Sequence, residues 1–75
     1  MEIAVGDVIT FNLNRADNKC IGLVLAVGLG LVYVKYVHAW NLNEKPQTVE
    51  LSTNTYGAWV SKYTENPDRI KSFLQ

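Results

Sequence analysis

The sequence predicts a mostly β fold: a small five-stranded sheet, strongly bent and closed as a barrel, with a short C-terminal helix. Two observations lead to this fold class. Residues 20–38 form an almost unbroken apolar run rich in Val, Ile, Leu and Tyr, which Gly28-Leu29-Gly30 divides like the turn of a hairpin. Residues 66–74 then change to the apolar spacing of a helix.

The composition indicates one small, neutral domain. The chain has 75 residues, and 48% of them are hydrophobic, which is enough for one core and argues against disorder. We therefore expect a single domain over residues 1–75. Seven basic residues balance seven acidic ones. A net charge of zero disfavours nucleic-acid binding, and it means that no net charge repulsion opposes self-association.

Cysteine content and hydropathy limit the class of protein further. Cys20 is the only cysteine, which excludes an internal disulfide and a multi-cysteine zinc site, and we expect it to be buried. The apolar run is about as long as a membrane-spanning helix. Its three glycines, Lys35 and many β-branched residues favour strands instead. With no signal segment before the run, we expect a soluble, cytoplasmic protein that does not enter a membrane.

Alternating apolar side chains predict the first two strands. Residues 8–13 form strand one, in which Ile9, Phe11 and Leu13 should face the core. Residues 20–27 form strand two, which is apolar on both faces and should therefore be covered on both. Four large side chains are expected to share one of its faces: Ile21, Leu23, Leu25 and Val27.

Three further strands follow in the predicted order. They cover residues 31–38, 48–52 and 58–63. In strand three, the side chains expected to face inward are Val32, Val34 and Tyr36. Those expected to face outward are Leu31, Tyr33, Lys35 and Val37.

The C-terminal segment has a helix-start signal. Asn66-Pro67-Asp68 supplies a capping residue, a proline for the first helical position and an acid for the first turn. Ile70, Phe73 and Leu74 should then share one apolar face. Because about two turns are too short to be stable alone, the helix should dock over a barrel mouth or on the second face of strand two.

Three segments resemble a known family. Val5-Gly6-Asp7-Val8-Ile9 enters the first strand, Ile21-Gly22-Leu23-Val24 opens the second, and Val32-Tyr33-Val34-Lys35-Tyr36 forms the third. Over residues 5–38 the chain resembles small SH3-like barrels of the KOW and Tudor kind, which are common also among small phage-encoded proteins. The resemblance implies an SH3-like barrel with an accessory or regulatory role, or a nucleic-acid-binding module.

No motif in the chain indicates an active site. His38 is the only histidine, and the sequence assigns it neither an orienting partner nor a nucleophile. The glycines at the hairpin turn match no phosphate-binding loop. We therefore predict that the protein is not an enzyme and takes no cofactor or metal.

Aromatic residues carry the functional prediction. Seven of the eight follow residue 30, more than so small a core can hold. Exposed Tyr and Trp side chains often anchor protein interfaces. We predict a binding module whose partner is another protein, or a second copy in a homodimer. Its expected contact residues are Tyr33, Lys35, Trp40, Trp59 and Tyr63.

Other interpretations stay open at this point. Trp59 and Tyr63 could instead pack under the helix, and Trp40 could plug one end of a barrel. A nucleic-acid-binding module would combine base stacking on aromatics with a basic stripe. The residues of that stripe are Arg15, Lys19, Lys35 and Lys62. A small-ligand site or an enzyme would require a pocket that converges on His38.

Overall fold

The computed structural model describes residues 3–13, 18–52 and 60–74, which form one antiparallel sheet and one helix. The strands are β1 (Val8–Asn12), β2 (Lys19–Gly28), β3 (Leu31–His38), β4 (Gln47–Ser52) and β5 (Ser61–Lys62), and the helix is α1 (Pro67–Leu74). The strand order is β4-β3-β2-β1-β5. The predicted mostly β class with a short C-terminal helix is confirmed.

The predicted hairpin joins the two longest strands. Gly28 of β2 pairs with Leu31 of β3, so that only Leu29 and Gly30 form the turn. Gly30 has a φ of 76°, a left-handed conformation that glycine adopts without steric penalty. This turn explains why the apolar run folds back on itself at that point.

One β-bulge changes the predicted alternation in β2. Val24 pairs with Val34, but the next pair is Ala26 with Tyr33, so Leu25 is an additional residue in β2. An extra residue moves all later side chains to the opposite face. Val27 consequently pairs with Val32 of the core face, and the prediction that it shares a face with Leu23 is wrong.

The main core lies on one face of a strongly curled sheet. Its buried members are Ile9, Phe11, Cys20, Val24, Val32, Val34, Tyr36, Leu51 and Val60. Leu51 comes from one edge strand, and Val60 directly precedes the other, so both edges contribute to the same core. Among the described residues no ladder joins β4 to β5, and closure of the barrel stays a prediction.

The core positions predicted for strands one and three are largely confirmed. Ile9 and Phe11 are buried, and Leu13 packs at the margin of the cluster, while all three inward residues of β3 are buried. Cys20 is buried as expected, and burial raises the pKa of its thiol to about 11. An apolar environment stabilises the neutral thiol over the thiolate.

Helix α1 covers the other face of the sheet. A second cluster joins Ile70 and Leu74 of the helix to four strand residues: Val8, Ile21, Leu23 and Val37. The prediction that α1 docks on the second face of strand two is therefore confirmed, and this cover explains why the outward-facing Val37 is buried. Phe73, which was predicted to share the apolar face of α1, is 40% exposed. The Arg69 guanidinium lies 5.9 Å from the centre of its ring.

The start of α1 agrees with its predicted signal, whereas strand five is shorter than expected. Pro67 is the first helical residue, and Asp68 lies in the first turn. Asn66 has a φ of 60°, a conformation that asparagine tolerates better than most residues. Only Ser61 and Lys62 of the predicted strand five pair with β1. Residues 58 and 59 lie outside the described residues.

Gly22 allows the closest approach between β2 and β3. A Cβ atom at this position would lie 2.4 Å from Val34 Cγ1 and 3.0 Å from the Lys35 carbonyl oxygen. We expect Gly22→Ala to lower the free energy of unfolding by about 1–3 kcal/mol, because overpacking a buried site displaces its neighbours. Urea denaturation at equilibrium measures this change.

Gly28→Ala is the matched control, since nothing lies within 4 Å of a Cβ placed there. Its stability should stay unchanged or rise by up to about 1 kcal/mol through a less flexible unfolded chain. Equal stabilities of the two variants would contradict a packing role for Gly22.

Candidate functional site

The far end of the β2–β3 hairpin exposes large apolar side chains at its tip and on both of its faces. We call this set the apolar hairpin end: Leu25, Val27, Leu29, Leu31 and Tyr33. Their exposed fractions run from 39% for Leu25 and Tyr33 to 103% for Leu29 at the tip. Residues 25–34 include no charged side chain. Large contiguous apolar patches are uncommon on monomers and often mark interaction sites.

Strand lengths explain why this end is exposed. The backbone N–H of Val24 donates to the Asp7 carbonyl, and the Val24 carbonyl accepts from Gly6 N–H, both at 2.9 Å. Past Val24, β2 has no neighbour on the β1 side among the described residues. The prediction that strand two is covered on both faces therefore holds only as far as Val24.

A shallow groove lies beside the exposed tip. Its volume is about 280 Å³, and its lining residues are Ala26, Gly28, Leu31, Tyr33 and Glu50. Ala26 and Gly28 leave space there because they carry little or no side chain. The groove thus combines small β2 residues with one aromatic ring and one carboxylate.

Two of the five predicted contact residues lie together at this end. Tyr33 is part of the apolar hairpin end, and Lys35 follows it at the next position on the same face of β3. Tyr33 pairs with Ala26 and Glu50, whereas Lys35 pairs with Leu23 and Thr48. Lys35 is half-buried at the inner margin of the surface.

Trp40 lies just past the opposite end of β3. The distance along the strand from Tyr33 to His38 is roughly 17 Å at the usual rise per residue. The indole is 67% exposed and stacks on the His38 ring, with 4.5 Å between ring centres and 28° between planes. Its exposure contradicts the alternative that Trp40 plugs a barrel end.

His38 and Glu44 fix the loop after β3. Glu44 Oε1 accepts a hydrogen bond from the His38 backbone N–H at 2.5 Å and lies 2.7 Å from His38 Nδ1. The backbone hydrogen bond, followed by the imidazole contacts, holds the pKa of Glu44 below its ordinary value of 4.5. The sequence offered no signal for this orienting partner, because the two residues are joined by a loop of irregular conformation.

The same register brings a thiol next to this pair. Cys20 is the β2 partner of His38, so the residue types of a nucleophile, a base and an orienting carboxylate are neighbours. The Cys20 thiol is fully buried, and burial raises its pKa to about 11. A reactive cysteine needs an accessible thiolate, which this environment does not favour. The arrangement is suited to holding the loop in place.

Tyr63 lies on a different surface, in a groove that we call the lysine groove. Its volume is about 430 Å³, and its polar lining includes Thr10, Lys19, Lys62, Tyr63, Thr64 and Glu65. Tyr63 is half-buried against the cluster beneath α1, as the packing alternative expected. Lys62 Nζ also lies 3.4 Å from Asp7 Oδ2. Trp59 and Arg15 lie outside the described residues.

The predicted contact residues therefore do not form one surface. Tyr33 and Lys35 lie together on β3, and Trp40 lies past the opposite end of that strand. Ala39 and Leu42, which are close to Trp40 in its loop, line the lysine groove together with Tyr63. Four members of the apolar hairpin end were not predicted as site residues. A usable signal was present in the sequence: predicted strand two is longer than predicted strand one, which cannot cover its full length.

The described ranges contain neither a membrane-spanning helix nor a cluster of metal-ligand residues. No helix there is long and apolar enough to cross a membrane. No group of three or more His, Cys, Asp or Glu side chains in that part of the chain is arranged to hold a metal ion.

Comparisons with known proteins leave the family open. No protein-family model, curated protein or solved structure matches the chain. The resemblance to SH3-like barrels rests on the three sequence segments quoted above. The functional conclusion must therefore come from the geometry of the surfaces.

We expect Trp40→Ala to fold normally, since most of the indole is in solvent. Loss of the stack on His38 should lower the free energy of unfolding by about 0.5–1.5 kcal/mol. Thermal and urea denaturation measure the change, and Trp40→Phe serves as the control that keeps a ring. An unfolded Trp40→Ala protein would refute this view of Trp40.

The lowered pKa of Glu44 predicts a pH dependence. The stability that Glu44 provides is complete above its unfolded pKa and is lost as pH falls through the lower pKa of the folded state. Glu44→Gln should therefore reduce the fall in unfolding free energy between about pH 5 and pH 3. Chemical denaturation at several pH values measures it, with Glu50→Gln as the control. Identical pH profiles for wild type and Glu44→Gln would contradict the role of this carboxylate.

Proposed function

We propose that this protein is a non-catalytic binding module and that a protein partner docks on the apolar hairpin end. The observation that supports it is the exposure of five large apolar side chains, one of them Tyr33, in a segment without charge. Buried apolar and aromatic anchors supply most of the binding energy in protein interfaces.

The support for this surface also includes its rigidity. Val32 and Val34 alternate with the exposed residues of β3 and are fully buried on the other face. A docking surface that is already ordered loses little conformational entropy when a partner binds.

Two finer points belong to the proposal. The curled sheet is an SH3-like barrel of accessory or regulatory type, which the shared core position of Leu51 and Val60 supports. The protein works in the cytoplasm, consistent with a single free, buried cysteine.

Nucleic-acid binding is the second candidate, because Lys19, Lys62 and Tyr63 line one groove. Three features weigh against it. Lys62 is paired with Asp7, Glu65 adds a negative charge to the groove, and the net charge of the chain is zero. Lys35 of the proposed stripe is not among the residues that line the groove.

Affinity capture with matched variants tests the proposed function. The tagged protein is incubated with nuclease-treated lysate of the cells that produce it. We expect a bound protein that wild type retains and that Leu29→Ser with Val27→Thr loses at least about tenfold, as expected for removal of a hot spot. Trp40→Ala, at an exposed aromatic position past the opposite end of β3, is the control and should retain it.

Two outcomes would overturn the proposal. Capture that succeeds from untreated lysate and disappears after nuclease treatment would select nucleic-acid binding. Capture that persists unchanged in the hairpin variant would exclude the apolar hairpin end as the docking surface. Circular dichroism of each variant confirms that the fold is intact.

A further inference from the structure

We infer that the partner on the apolar hairpin end is a second copy of this chain, an inference that rests on the proposed function. The shape of the hairpin is the first observation. Leu29 protrudes fully at the tip, and the groove floored by Ala26 and Gly28 lies directly behind it. Tip and groove are separated by one to three residues, about 3–10 Å along the strand.

A protruding side chain beside an open groove is self-complementary under two-fold symmetry. In such a contact each copy presents the same surface, so that residue i meets residue j and residue j meets residue i. Leu29 of one copy can enter the groove of the other while the reverse contact forms. A different protein would form the same pair of contacts only if it had both a matching groove and a matching protrusion at the same spacing.

The charged side chains also support a second copy as the partner. Glu50 lines the groove, and Lys35 lies on the same face next to Tyr33. Neither side chain forms an ion pair with another described residue. A two-fold contact provides two equivalent Lys35–Glu50 pairs between copies. The chain as a whole is neutral, so association of two copies meets no net charge repulsion.

The size of the surface sets the expected affinity. Five apolar side chains and two charged ones make a small surface compared with the roughly 20–30 residues that each protein contributes to a standard interface. We therefore expect a weak dimer with a dissociation constant between about 1 μM and 1 mM. Such a dimer forms and dissociates with concentration.

Sedimentation velocity over about 5 μM to 1 mM protein tests this inference, a range chosen to span the expected affinity. Wild type should shift from monomer to dimer. Leu29→Ser should weaken the dimer at least about tenfold, and Trp40→Ala, past the opposite end of β3, should leave it unchanged. Lys35→Glu and Glu50→Lys should each weaken it, while the double charge reversal should restore it.

The remaining outcomes separate the two proposals. A wild-type chain that stays monomeric at 1 mM overturns the inference, and so does a dimer that Leu29→Ser does not affect, such as one formed through the β4 edge. In either case the proposed function stands if the capture experiment recovers a different protein whose binding needs the hairpin. The proposed function is overturned if the hairpin variant captures the same protein as wild type does.

Discussion

The fold depends on the close approach of β2 and β3 at Gly22. This glycine pairs with Ile9 on β1 and Tyr36 on β3, at the centre of the sheet. The space where its side chain would be is filled by Val34, whose Cγ1 lies 2.4 Å from the ideal Cβ position. A missing side chain on the core face lets a sheet coil tightly. Curling brings residues of both sheet edges into one core and leaves the opposite face for helix α1.

The bulge at Leu25 marks the boundary between the part of the hairpin that stabilises the fold and the part that faces solvent. Up to Val24, β2 has neighbours on both sides and cover on both faces. Beyond it, only β3 remains as a neighbour, and β2 side chains become exposed. The strands continue because the β2–β3 ladder is intact up to Gly28 and Leu31. Excess strand length, more than any loop, therefore creates the candidate site.

Local chemistry explains which features could be predicted from sequence. The hairpin turn and the helix start follow from glycine and from Asn66-Pro67-Asp68, whose effects do not depend on distant residues. The bulge could not be predicted, because every residue of β2 around it is apolar and alternation gives no contrast between faces. The Glu44–His38 contact could not be predicted either, because it depends on the path of an irregular loop. Phe73 has the spacing of a core residue, but Ile70 and Leu74 are the members of the buried cluster that α1 supplies.

Exposed leucines of the hairpin do not serve the stability of the monomer. Leu29 is fully in solvent, and an uncovered apolar strand end is a site for unwanted association. Ending β2 and β3 near Val24 and Val34 would leave the second cluster intact, but it would remove Val32 from the main core and the β3 partner of Leu51. The docking that we propose would cover this extension. Val32 is buried beneath its β3 part, so the proposed partner would meet a surface that is backed by the core, and a small contact area could still be specific.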